Sequence, residues 1–214
     1  MEEPKGRSAE LFGALLEAHS AADSPEQAAL VEQLITRRFS DEKTIFITDM
    51  SGFTRGIRDR GFLSVVAMIY ELRRLLREEI ERAGGTFLKF EADNSFALFE
   101  TPGQALEAAL RCFALLELRN RSSAHLAPLG ISVGIGSGPL FLVGDEDAFG
   151  MEVNLASKLG EDTGSAGEVL LTEDAYGLLT ATEREAYTFE AACVEVSGVT
   201  IPYFKHCYGS EEGS

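Results

Sequence analysis

Two carboxylates far apart in the chain are the first residues that could do chemistry. Asp49 ends the apolar run Ile45-Phe46-Ile47 in "IFITDMSGF", and Asp93 sits in "EADN", between the apolar runs "TFLKF" and "SFALF". A carboxylate carried to the end of a buried strand with no basic neighbour in sequence needs a partner: a cation, a helix N-terminus or a metal. If the fold brings the two together, their charges repel unless a proton or a cation bridges them. Oxygen ligands with open positions suit Mg2+, which keeps waters and takes substrate phosphates as further ligands. Backbone groups from Met50 to Gly52 could join the same site. A second reading fits these residues equally well: Asp49 caps the helix after "SGFTRG", and Asp93 only makes a turn.

Apolar periodicity gives the elements that must position these groups. A strand over 44–49 is followed by Phe62, Val65, Val66, Ile69, Leu72, Leu76 and Ile80 at helical spacing, up to the stop at Gly84-Gly85. "TFLKF" and "SFALF" read as two strands joined by a tight turn. Thr101-Pro102-Gly103 breaks the chain before a helix over about 104–118. "RNRSSAHLAP" then reads as a loop, and "LGISVGIGSG" as a buried strand thinning into glycines. Strand, helix, strand, strand, helix, strand is the order of a ferredoxin-like βαββαβ core, so the chain is expected to be α+β. In that arrangement the first and third strands are central, antiparallel neighbours. The end of one lies beside the start of the other, which brings Asp49 and Asp93 to one edge.

Upstream, residues 8–39 read as two helices, with Leu11, Leu15, Leu30, Leu34 and Ile35 on apolar stripes and Ser24-Pro25 starting the second. Such a lead-in either packs on its own domain or docks on a partner subunit. Asp41-Glu42-Lys43 reads as a polar break. Downstream, a C-terminal extension is expected: a strand near 140–144, a helix near 152–159, a strand over 168–172, a short helix and a terminal hairpin. The expected divisions are a lead-in over 1–42, a domain over 43–208 and a disordered tail over 209–214 carrying "GSEEGS".

The net charge of −16 argues against a nucleic-acid backbone or an anionic membrane surface as partner. It does not argue against a nucleotide held through divalent cations. No run of eighteen apolar residues and no signal-peptide pattern is present, so a cytoplasmic location is expected. Cys112, Cys193 and Cys207 form no CxxC pattern and read as reduced core thiols, and the scattered His19, His125 and His206 leave no His-based zinc site. "GDEDAFG" fails as a calcium loop because Ala156 stands where the twelfth-position Glu belongs. Met151, next to Glu152, reads as surface or dimer contact.

Over about residues 43–208 the chain resembles the catalytic domain of class III nucleotidyl cyclases, the adenylate and guanylate cyclases. "FITDMSGFT" is similar to the family's first metal strand, with Asp49 in the ligand position. "GGTFLKFEADNSFALF" is similar to its hairpin, with Lys89 at the base-reading lysine and Asp93 at the second metal aspartate. "DAFGMEVNLASKL" places Asp147 at the base-selecting aspartate and Asn154 at the transition-state asparagine, and "GEVLLTEDAY" matches the strand and helix that follow. The resemblance implies two Mg2+ or Mn2+ ions per site, held by Asp49, Asp93 and the Met50 backbone. It implies ATP as substrate, converted to cyclic AMP and pyrophosphate. GTP fits less well, because guanylate cyclases usually carry Glu and Cys at the two base-reading positions. It also implies a head-to-tail homodimer, in which Asp49 and Asp93 face Lys89, Asp147, Asn154 and Lys158 of the other protomer.

Four departures from the family pattern bear on rate. Lys158 stands where an arginine is usual, and lacks the planar fork that contacts two phosphate oxygens. Ser197 falls where a phosphate-binding lysine is usual, with Lys205 a weak substitute, and Glu91 and Ala92 replace the usual Thr and Gly before Asp93. The expectation is a slow enzyme. The competing expectation is a catalytically degenerate domain that binds nucleotide or a partner and regulates without turnover.

Overall fold

The computed structural model describes residues 7–51, 61–122, 127–196 and 198–209. Two helices lead in: α1 (Ala9–Ser20), capped by the Ser8 side chain, and α2 (Pro25–Phe39), capped by Ser24 with Pro25 in its first turn. Then follow β1 (Ser40–Met50), α3 (Phe62–Arg82), β2 (Thr86–Glu91), β3 (Asn94–Phe99), α4 (Pro102–Ser122) and β4 (Ile131–Val143). The remainder comprises β5 (Asp147–Phe149), α5 (Met151–Ser157), a π-helical turn (Lys158–Thr163), β6 (Glu168–Thr172), α6 (Glu173–Gly177), α7 (Ala181–Ala186), β7 (Glu190–Val196) and β8 (Val199–Cys207).

All strands join one sheet in the order β2-β3-β1-β4-β6-β8-β7, with β5 paired to β4. The first four form the expected βαββαβ core. β1 runs antiparallel to both β3 and β4, and β4 runs parallel to β6. Alternation along β1 divides the core between two faces. Phe46 and Met50 join the larger cluster beneath α3 and α4, with Val65, Leu72, Leu76, Leu106 and Phe113. Ile45 and Ile47 join Phe96, Leu98, Leu140 and Ala156 on the other face, which α5 covers. Asp49, two residues beyond Ile47, extends the α5 face.

Two boundaries differ from expectation. Residues 41–43 are not a break: β1 begins at Ser40, because Ser40 to Lys43 pair with Gly138 to Phe141. "LGISVGIGSG" and the strand expected near 140–144 are one strand, kept continuous through Pro139 by that same pairing. Its glycines are there for a neighbour: a Cβ on Gly134 would lie 2.0 Å from the Ala156 carbonyl oxygen, and one on Gly136 would lie 2.6 Å from that of Glu152. Bare backbone lets α5 sit directly on the sheet. The cysteines also differ. Cys112 is buried, but Cys193 is exposed opposite Pro202, and none of the three cysteines forms a disulfide.

Candidate active site

Pairing of Thr48 with Ser95 brings the end of β1 level with the start of β3, and so Asp49 beside the turn that holds Asp93. Asp49 is half-buried, and its pKa rises to about 6. Burial is the largest cause, followed by the charges of Asp93, Glu161 and Asp162, against a hydrogen bond from the Met50 amide. The like-charge encounter expected from sequence is therefore present, enlarged by two carboxylates from the π-helical turn. Burial also pushes up the Glu161 pKa, with Asp162 adding to it and Lys158 opposing. The Met50 side chain lies in the core on the opposite face, leaving only its backbone at the site. Gly52 and Ser197 lie outside the described residues.

Among the described residues no group of three or more His, Cys, Asp or Glu side chains is arranged to hold a metal ion. Asp49 and Asp93 do fit hard divalent cations. They offer oxygen only, and the burial and like charge that raise the Asp49 pKa are both relieved by a bound cation.

The turn between β2 and β3, which holds Asp93, is strained. Ala92 has φ 51°, a left-handed conformation uncommon outside glycine. Arg73 of α3 donates to the Ala92 carbonyl and stacks 4.8 Å from the Phe90 ring centre, which ties the turn to the helix. Glu91 is exposed and lies 3.4 Å from Lys89.

Lys89 owes its direction to an irregularity. Between Phe87 and Lys89 the β2–β3 register slips by one, so Lys89 faces Phe96 on the α5 side rather than following Phe87 into the other core. There its ammonium lies 5.2 Å from the Phe96 ring centre and donates to Asp147 Oδ1 at 3.0 Å. Burial opposes its charge, yet the hydrogen bond and charge of Asp147, aided by Glu91, raise its pKa. Asp147 is held by β5, a strand of three residues that sequence reading missed as too short to carry a period.

Asn154 is exposed on α5, and Lys158 follows one helical turn later, its amide bonded to the Asn154 carbonyl. Lys158 Nζ pairs with Asp162 Oδ2 at 3.0 Å. Met151 is 70% exposed, whereas its neighbour Glu152 is buried. It is 6% exposed, and its Oε2 accepts from the Ser137 amide at 2.9 Å and the Thr172 hydroxyl at 2.6 Å. That carboxylate ties α5, with Asn154 and Lys158, to β4 and β6. A helical-wheel argument could not find it, because the slot it fills is made by glycines on another strand.

The model of the adenylate and guanylate cyclase catalytic domain matches residues 35–206. The chain belongs to this family. Its fold is that of solved cyclases. An adenylate cyclase of Trypanosoma brucei, solved in the monomeric state, superposes with a TM-score of 0.66 at 20% identity, over 81% of this chain and 92% of that one. The adenylyl cyclase CyaB from P. aeruginosa gives 0.63 at 22% identity, over 82% and 99%. The guanylate cyclase domain of RhGC from Catenaria anguillulae, in complex with GTP, gives 0.63 at 19% identity, over 79% and 97%. Nothing among curated proteins matches the sequence. The cyclase domain is thus established, and the neighbours include both substrate classes. No helix among the described residues is long and apolar enough to cross a membrane.

Proposed function

We propose that this cyclase domain converts ATP to cyclic AMP and pyrophosphate, at sites shared between two copies of the chain. The observation that carries the choice of ATP is the Lys89–Asp147 pair: a donor and an acceptor held side by side suit the adenine edge. In the reaction the ribose 3′ oxygen forms a bond to the α-phosphorus, the bond from that phosphorus to the pyrophosphate oxygen breaks, and the hydroxyl proton is lost. Divalent cations at Asp49, Asp93 and the Met50 backbone would supply positive charge to the attacking oxygen and the triphosphate. Asn154, exposed on α5, would orient the ribose. Lys158 would offset charge developing at the α-phosphate, and its pairing with Asp162 is a reason to expect slow turnover. The protein is read as cytoplasmic.

Incubating the purified chain with ATP or GTP and Mg2+ or Mn2+ tests the reaction. Cyclic AMP from ATP is the expected product, and no cyclic nucleotide from either substrate would overturn the reading in favour of a degenerate regulatory domain. Sharing has its own test. Asp49→Asn and Asn154→Ala should each be inactive as homodimers, because both of their sites are damaged. Mixed and allowed to exchange, half the dimers carry both lesions in one site and none in the other, so about a quarter of wild-type activity returns. Demonstrated exchange without recovery would exclude shared sites.

A further inference from the structure

The family match begins at residue 35, so it leaves out α1 and most of α2, and the reaction uses none of their surface. α2 docks through Ile35 and Phe39, with Val31 packed beside them, and Phe12 of α1 sits 4.8 Å from Phe39 and 5.8 Å from Phe149 between ring centres. About a third of a turn around the same helix a second stripe faces outward. It reads Glu26, Leu30, Leu34, Arg37 and Arg38, all exposed, with Leu30 at 60% and Leu34 at 48%. Leu34, Arg37 and Arg38, with Leu11 and Leu15 of α1, line a groove of about 540 Å3. Two leucines so exposed on one helix face, above an apolar groove, are the mark of a contact surface.

We propose that this groove receives a second copy of the same chain, with α2 packed antiparallel on α2 of the other copy about a two-fold axis. Charge and register single out that occupant. A two-fold axis that sets Leu30 opposite Leu34 of the other copy also sets Glu26 opposite Arg37 and Arg38. Each contact is then made twice, as an isologous interface requires. The stripe is self-complementary: apolar meets apolar at the centre, and acid meets base at both ends. A parallel pairing would set Glu26 against Glu26 and the arginines against arginines, which like-charge repulsion disfavours. An unrelated acidic helix could answer Arg37 and Arg38 but would leave Glu26 without a match. For a chain of net charge −16, such an arrangement also allows two copies to approach where their charges alternate.

The test uses charge reversal in the full chain, read by sedimentation equilibrium at low salt. Glu26→Arg alone, and Arg37→Glu with Arg38→Glu, each turn both ends of the homodimer contact into like charges. Each is expected to self-associate at least about tenfold more weakly than wild type. In an equimolar mixture the mixed dimer again has opposite charges at both ends, and wild-type affinity should return and then weaken with added salt. A variant that simply fails to fold is not rescued by mixing. Association through the cyclase face leaves wild type, variants and mixture equal, and so cannot imitate the pattern. Equal association in all samples, or a mixture no tighter than its components, would overturn the proposal and assign the groove to another occupant. Because activity is not read, the outcome is independent of the proposed reaction.

Discussion

Removing the Glu152 carboxylate should damage this protein far more than neutralising it. The group is 6% exposed, and one oxygen serves two donors on two different strands. Hydrogen bonds to a charged group contribute about 1.5–3 kcal/mol each, so Glu152→Ala forfeits up to about 6 kcal/mol of gross interaction. Against this stands the cost of holding the charge away from water. Burial raises the Glu152 pKa, the bonds from Thr172 and Ser137 oppose the rise, and Asp174 adds to it. About half of the gross loss should therefore survive, or about 3 kcal/mol. For a domain of this size that lowers Tm by about 6–12 °C. Glu152→Gln keeps an acceptor for both donors and removes the desolvated charge, so it should lie within about 1 kcal/mol of wild type. The pH dependence has a definite sign. A carboxyl whose folded pKa is raised favours folding while protonated, below its ordinary value of 4.5, and that contribution is lost as pH rises towards the folded pKa. Glu152→Gln should accordingly gain on wild type as pH rises above 4.5. Urea denaturation of the three proteins across that range, with cyclase activity in parallel, makes the measurement. Activity should fall with Glu152→Ala, because α5 carries Asn154 and Lys158. A Glu152→Ala protein as stable as wild type, or a Glu152→Gln protein as damaged as Glu152→Ala, would refute the reasoning.

At Lys158, alanine should lower kcat by about a hundredfold if the ammonium meets charge that develops in the transition state, whereas arginine should hold or raise it. Asp162→Asn should raise activity by about twofold, since an exposed i,i+4 pair restrains the lysine only weakly; single-turnover kinetics on the three variants would show it. Ala92→Gly should stabilise the domain by about 1 kcal/mol, because only glycine adopts φ 51° without cost. A differential scan should show its Tm higher than wild type by about 2–4 °C.

Much of the fold was legible without coordinates, because apolar periodicity is a local property. The stripe from Phe62 to Ile80, the Ser24-Pro25 helix start and the turn at "EADN" each lie within a few residues and predicted their elements. Together they predicted the strand order that places Asp49 beside Asp93. Where the sequence reading failed, the deciding neighbour was remote. Asp41 to Lys43 are polar and read as a break, yet they extend β1 because β4 offers backbone groups opposite. Glu152 gave no signal of its place in the sequence, and it is buried because Gly136 and Thr172, from two other strands, make room and hydrogen bonds for it. Lys89 illustrates the difference best. Its residue type and neighbours were visible in the chain, but strict alternation after Phe87 would have sent it into the wrong core. A single slip of register between β2 and β3, set by pairing and not by any local preference, turns it to Asp147. Sequence alone determined which groups the site could contain. Only tertiary structure decided which way they point, because that depends on backbone pairing between segments dozens of residues apart.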